Sequence, residues 1–118
     1  MFSGRTHKIN DMYYLGSIDA DEDMSLYRDL GEGNGIGRIE PTVFAVGWDS
    51  IHIIAKQHPS KNKKVTNYFI LDMTKDNKYA DPSKSVIGPL DEKEFEAKRI
   101  TLGVSQQLSF TLVIDNIK

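Results

Sequence analysis

Two runs rich in β-branched and aromatic residues lie near the middle of this 118-residue chain, at residues 42–47 (TVFAVG) and 51–56 (IHIIAK). A turn-forming stretch that contains Asp49 and Ser50 separates them, which predicts two antiparallel strands joined by a tight reversal. A third run of the same kind, at residues 66–73, follows a polar loop. The pattern therefore predicts a central antiparallel meander. Both faces of its strands carry apolar residues, so we expect one face to meet a helix and the other to meet more chain or a partner.

Weaker patterns predict the remaining strands. Residues 11–18 carry apolar side chains at both parities, and residues 107–115 alternate apolar and polar positions. Residues 24–30 fit either a short strand or a single helical turn, of which we favour the strand. Pro41 precedes the meander, at a position where its missing N–H removes no ladder bond.

The clearest helix signal lies at residues 91–102. Asp91 and Glu94 have the spacing of a capping box, and Leu90 and Phe95 that of a hydrophobic staple. Gly103 directly after the segment predicts a left-handed C-terminal cap. Only one stripe of this helix is apolar, so we expect it to lie against a sheet.

These elements predict an α+β domain: an antiparallel β-sheet of about five to six strands with a central meander, and one helix packed on a face. We expect residues 1–118 to form a single domain, with residues 1–10 a loose N-terminal tail. Trp48 is predicted to be a core residue of the sheet centre.

Composition restricts the class of protein. At 13.3 kDa, with 39% hydrophobic and 27% charged residues, the sequence is that of an ordinary soluble globular protein. It has no cysteine, no apolar run long enough for a membrane span and no signal peptide, so we expect a cytoplasmic protein. The net charge of −2 and pI near 5.9 argue against direct nucleic-acid binding.

No motif predicts an enzyme, a metal or a cofactor. The glycine-rich stretch at residues 31–37 matches neither a dinucleotide fingerprint nor a P-loop, and a strand rather than a helix follows it. It fits a connection that needs positive φ at several positions. His7, His52 and His58 lack the spacing and the additional ligands of a zinc site.

Acidic residues dominate the first third of the chain. The spacing of Asp19, Asp21 and Asp23 matches the opening of an EF-hand loop, but Met24 and Leu30 stand where the obligatory glycine and glutamate belong. The acids are therefore either a solvated loop or an electrostatic patch that attracts a basic protein.

Several short segments carry a family resemblance. They are YLGSI at 14–18, PTV at 41–43, IIAKQHP at 53–59, YFILD at 68–72 and GPLDEKEF at 88–95. In this succession the chain resembles small bacterial domains of uncharacterised type. Some of those domains are lipoproteins, and some are similar to immunity proteins of contact-dependent growth inhibition systems. The chain has no lipid-carrying cysteine, which favours the cytosolic branch.

The resemblance implies an immunity protein that binds and neutralises a cognate toxin domain, often a nuclease with a basic surface. As residues of that contact we hypothesise Asp19, Asp21, Glu22, Asp23, Asp29 and Glu32. The alternative is a cytosolic domain that binds a small ligand or a peptide and has no toxin partner. Neither reading requires a cofactor.

Overall fold

Two antiparallel sheets and one helix make up the computed structural model, which describes residues 5–118. The first sheet has the order β1-β2-β3-β4, each strand pairing with its neighbours in sequence. Its strands are Thr6–Lys8 (β1), Tyr13–Gly16 (β2), Ser25–Gly31 (β3) and Asn34–Ile39 (β4). A turn with positive φ at Gly31, Glu32 and Gly33 joins β3 to β4. The predicted glycine-rich connection at residues 31–37 is thus correct only in its first part, because residues 34–37 belong to β4.

The second sheet has the order β8-β7-β6-β5-β9 and contains the predicted meander. Its strands are Val43–Trp48 (β5), His52–Gln57 (β6), Asn67–Asp72 (β7), Val86–Leu90 (β8) and Leu112–Val113 (β9). Asp49 closes the β5–β6 reversal, because its Oδ1 accepts the backbone N–H groups of Ile51 and His52 at 2.8 Å each. Those two bonds outweigh the effect of burial and lower the pKa of Asp49.

The helix α1 spans Glu92–Thr101, and its ends confirm the prediction. Asp91 accepts from the N–H of Glu94 at 2.7 Å, and Glu94 accepts from the N–H of Asp91 at 3.0 Å. Gly103 has a φ of 70°, and the N–H of Val104 reaches the carbonyl of Arg99 at 2.9 Å. This is a Schellman cap.

Hydrophobic packing forms three layers. One face of the second sheet packs on the first sheet through a core that includes Tyr13, Leu26, Ile53 and Leu71. The opposite face, which carries Ile54, Tyr68 and Ile70, packs on α1 and the segment after it. The alternation of side chains along β6 thus serves two cores, which explains why both faces of the meander are apolar. Trp48 is half-buried and packs against the first core.

The α+β class is confirmed, but the prediction of one sheet is corrected to two. The chain passes from the first sheet to the second at Pro41, and no pattern in the sequence marks that change of partner. Strand β8 was not predicted. In the predicted loose tail at residues 1–10, Thr6–Lys8 pairs with β2, and residues 1–4 lie outside the described part.

The predicted last strand at residues 107–115 shrinks to Leu112–Val113. Gly47 gives the reason. A Cβ at Gly47 would lie 1.8 Å from the carbonyl oxygen of Ser109, so this part of the segment crosses close over β5. Pairing with β5 begins only at Leu112. Within residues 5–118, no helix is long and apolar enough to cross a membrane.

Candidate functional site

A buried charge network joins the two sheets. Asp76 follows β7, and its side chain is completely buried against the equally buried guanidinium of Arg38 on β4. Arg38 Nε lies 3.1 and 3.0 Å from the two carboxylate oxygens, and Nη2 lies 3.0 Å from Oδ1. Nη2 also donates to the carbonyl of Asn77 at 3.0 Å. The loop after β7 is thereby fixed to the first sheet.

Two further side chains complete the network. The hydroxyl of Tyr13 on β2 donates to Asp76 Oδ2 at 2.5 Å, and Arg28 Nη1 on β3 donates to that hydroxyl at 3.1 Å. Arg28 Nη1 also lies 3.7 Å from Asp76 Oδ2. Burial and the hydrogen bond to Asp76 raise the pKa of Tyr13 far above its ordinary value, although Arg28 acts in the opposite direction. Tyr13 therefore stays protonated and donates a hydrogen bond as a neutral hydroxyl. The network has a structural role.

An open groove of about 720 Å³ lies between the two sheets. Backbone from β4 and β8 lines it on two sides, and Tyr27, Phe69 and Pro89 give it apolar surface. Gln57 and Asn67 add amides, which bond to one another at 3.1 Å. Arg38 contributes the one guanidinium of the lining, and Asp76 already neutralises it. Glu40 also lines the groove and is exposed. The groove is therefore suited to a ligand of moderate size that is uncharged or carries positive charge at the Glu40 end.

The six predicted contact residues fall into two groups. Asp19, Asp21, Glu22 and Asp23 lie in the connection between β2 and β3, where Asp21–Asp23 forms a short 3₁₀ turn. Asp29 and Glu32 lie at the other end of β3, at the turn into β4. Asp29 lies six positions after Asp23, mostly along β3, which corresponds to ~20 Å. They cannot form one compact patch.

The turn at residues 19–23 is held by specific contacts. The hydroxyl of Thr42 donates to the carbonyl of Glu22 at 2.5 Å, and Asn116 donates to Asp21 Oδ2 at 2.6 Å. Arg5 lies 3.9 Å from Asp21, whose side chain is only 15% exposed. Asp21 therefore has structural partners, whereas Asp19 and Glu22 are exposed.

Near β3 and β4, the exposed charges are carboxylates. Arg28 and Arg38 are the only basic residues between Asp11 and Glu40. Both turn toward Asp76, and their side chains are 12% and 0% exposed. The exposed acids of this interval are Asp11, Asp19, Glu22, Asp29, Glu32 and Glu40. Strands β3 and β4 and the turns at their ends consequently present negative charge to solvent.

Basic residues lie on the loops of the second sheet. Lys61, Lys63 and Lys64 are exposed in the loop between β6 and β7. Lys63 Nζ lies 3.5 Å from the carbonyl of Asn116, the residue that also bonds Asp21. The basic loop thus approaches the first acidic group, and the second group, Asp29 and Glu32, lies at the opposite end of β3.

The described residues contain no group of three or more histidine, cysteine or acidic side chains that could hold a metal ion. His58 is buried, stacks on Phe44 at 4.1 Å between ring centroids, and places Nδ1 2.9 Å from the carbonyl of Val65. His52 is buried within β6. Both are packing residues of the second sheet.

Sequence reasoning missed Asp76 and Arg38. Asp76 stands in a polar stretch, residues 74–85, that was interpreted as a connection. A loop carboxylate that is buried against a strand far away in the sequence produces no periodic pattern of polar and apolar residues. The one available signal is the presence of two arginines in otherwise acidic strands, and no prediction was drawn from it.

The architecture defines an α+β domain of two antiparallel sheets with one helix. The chain belongs to the family described as "Protein of unknown function (DUF3997)", whose sequence model matches residues 10–116. No curated protein matches the chain, and no solved structure matches it.

Proposed function

We propose that this protein is an immunity protein that binds a cognate bacterial toxin domain and covers its active site or substrate surface. The partner is a basic domain, such as a nuclease, and the encounter takes place in the cytoplasm. In this proposal the protein acts by binding, without catalysis, cofactor or metal of its own.

One observation carries the proposal: β3, β4 and the turns at their ends expose carboxylates, while the two arginines of these strands are sequestered. Because Arg28 and Arg38 turn inward to Asp76, their guanidinium groups lie away from the solvent that Asp19, Glu22, Asp29 and Glu32 face. A surface of one sign accelerates association with an oppositely charged protein and disfavours other partners. A substrate-binding surface that accepts nucleic acid has the required positive charge.

Co-expression with a toxin provides the test. The toxin domain encoded directly upstream of this gene is induced in bacteria with and without the protein, and growth is measured. We expect the protein to restore growth and to bind the toxin domain stoichiometrically, with an affinity that falls as salt increases.

A charge-reversed variant locates the contact. D19K, E22K, D29K and E32K together should weaken toxin binding by about tenfold or more and reverse its salt dependence. A control with E96K, Q106K and Q107K places lysines at exposed positions of the helix and of the segment after it and should bind as the wild type. If the charge-reversed variant bound the toxin domain as tightly as the control and the wild type, the acids of the first sheet would not be the contact.

The second candidate is a domain that binds a small ligand or a peptide without a toxin partner. The groove of about 720 Å³ favours it, since its size and mixed lining are those of a ligand site. Absence of growth protection, together with saturable ligand binding that perturbs Tyr27 and Phe69, would support this candidate over the first.

A further inference from the structure

Four strand edges are open in the described part of the chain: β1 and β4 in the first sheet, β8 and β9 in the second. Proteins commonly protect such edges with short length, lysine or proline. Strand β1 has three residues and ends in Lys8, β9 has two residues, and β8 contains Pro89. Strand β4 has six residues and neither lysine nor proline. It is the least protected of these edges.

The hydrogen-bond pattern shows which backbone groups of β4 face outward. The N–H of Asp29 on β3 bonds the carbonyl of Met12 at 2.8 Å, so Asp29 points toward β2. Antiparallel strands alternate the direction of successive residues, so Arg28 points toward β4 and pairs with Ile36. The N–H and C=O groups of Gly35 and Gly37, on either side of Ile36, therefore point away from β3. Consistently, the carbonyl of Gly37 accepts from Arg38 Nη1 at 3.2 Å.

Open space lies over the face of β4 at Gly37. Gly35 and Gly37 are both exposed, and a Cβ placed on Gly37 would meet no atom within 4 Å, whereas a Cβ on Gly35 would collide with the hydroxyl of Tyr14. The groove between the sheets begins at Gly37 and continues to Tyr27, Phe69 and Pro89. An added strand would send alternate side chains into this groove and the others to solvent.

Charge at the two ends of β4 limits what can bind there. Asp29 and Glu32 lie at its beginning and Glu40 at its end, all three exposed. Arg38, the one cation on the strand, is neutralised by Asp76. An extended segment with a neutral centre and basic ends is complementary to this arrangement.

We infer that β4 is a docking edge at which an extended partner segment, uncharged in its centre and basic at its ends, adds as a fifth strand of the first sheet. This is recognition by strand addition, in which main-chain hydrogen bonds to Gly35 and to the N–H of Gly37 give affinity and the groove selects side chains. The inference rests on the proposed function only for the identity of the partner, a basic toxin domain.

The probe is the blocked peptide Lys-Thr-Val-Thr-Val-Thr-Val-Lys, titrated into the labelled full-length protein and followed by NMR. We expect saturable shifts at Gly35 and Gly37 and amide exchange at Gly37 slowed by about tenfold or more. A peptide with glutamate at both ends should bind about tenfold more weakly at low salt. Absence of binding, or shifts confined to other strands, overturns the inference.

Two variants of Gly37 distinguish the loss of a main-chain hydrogen bond from the addition of a side chain. G37P removes the outward N–H, and the fold should tolerate it because that N–H makes no ladder bond. It should lower peptide affinity by about tenfold, corresponding to one lost hydrogen bond, whereas G37A keeps the N–H and should bind as the wild type. Equal affinity of G37P and wild type, with unchanged melting temperature, refutes strand addition.

A second copy is the competing occupant of the edge. Self-association of the wild type that G37P abolishes would assign β4 to a homodimer and overturn the inferred heterologous partner. Peptide binding and growth protection are measured separately. Growth protection that persists in G37P therefore refutes the docking edge but leaves the proposed function intact. Peptide binding without growth protection supports the docking edge and refutes the proposed function.

Discussion

Arg38 and Asp76 form the polar contact that ties the first sheet to the second. The guanidinium of Arg38 contacts both carboxylate oxygens of Asp76 at 3.0–3.1 Å, and neither side chain is exposed. Each charge depends on the other, because an ion removed from water without a partner is strongly unfavourable. The same pair withdraws the one cation of the docking edge from the surface. A contact that stabilises the fold thus also determines the charge presented to a partner.

We predict that D76N lowers the free energy of unfolding by about 3–5 kcal/mol, since it leaves two arginines in the interior without a counterion. Urea unfolding at neutral pH measures the change.

The matched control is D11N. Asp11 pairs with Lys8 at 3.1 Å, but its side chain is 96% exposed, and exposed pairs contribute little. If D76N were no more destabilising than D11N, the buried network would not join the sheets energetically.

Gly47 provides a second test of the packing. We predict that G47A destabilises the protein by about 1–3 kcal/mol, because its Cβ would lie 1.8 Å from the backbone oxygen of Ser109 and the final segment would have to move. Thermal unfolding measures the loss. G37A is the control, because its Cβ meets no atom within 4 Å. Equal melting temperatures for the two variants would contradict the close crossing of residues 105–111 over β5.

Local chemistry explains which parts of the fold the sequence predicted. The capping residues Asp91, Glu94 and Gly103 contact residues only a few positions away in the sequence, so the helix could be predicted correctly from them. The apolar runs at β5, β6 and β7 likewise depend on near neighbours. The division into two sheets depends on long-range partners. The sequence before Pro41 is rich in glycine and the sequence after it is apolar, but neither indicates that β4 ends one sheet and β5 begins another.

The predicted contact residues show the same limit. Their charge and proximity in sequence suggested one patch, but the length of β3 places Asp29 and Glu32 far from Asp19 and Glu22. Sequence also could not show that Asp21 bonds Asn116 from the other end of the chain. The charge of this surface depends equally on Asp76, which draws both neighbouring arginines inward from a loop that the sequence describes only as polar.

Arg99 extends the argument to the third layer. It lies on α1, is buried, and donates through Nη2 to the carbonyls of Ser105 and Leu108 at 2.6 and 2.7 Å. We predict that R99M, which keeps the length of the side chain, costs about 2 kcal/mol, as expected when hydrogen bonds from a charged donor are lost. Urea unfolding measures the cost, and faster amide exchange at residues 105–110 would locate it. K98M changes an exposed neighbour and serves as control. Comparable stability of the two variants would show that Arg99 does not hold this segment.

Tyr68 makes the free energy of unfolding depend on pH in the alkaline range. Its ring is buried against Phe95, with 4.9 Å between ring centroids, and its hydroxyl donates to Glu92 at 3.1 Å. Burial, the bond to Glu92 and the nearby charges of Glu92 and Glu96 raise the pKa of Tyr68 from 10.0 to about 12. As pH rises past 10, the unfolded chain releases this proton while the folded protein retains it, so the free energy of unfolding falls.

We predict that the free energy of unfolding of the wild type declines between pH 10 and about 12, measured by urea unfolding, and that it declines less steeply for Y68F. Some decline should persist in Y68F because the pKa of Tyr13 is also raised. Parallel pH profiles for the two proteins would show that the Tyr68 hydroxyl does not contribute to this dependence.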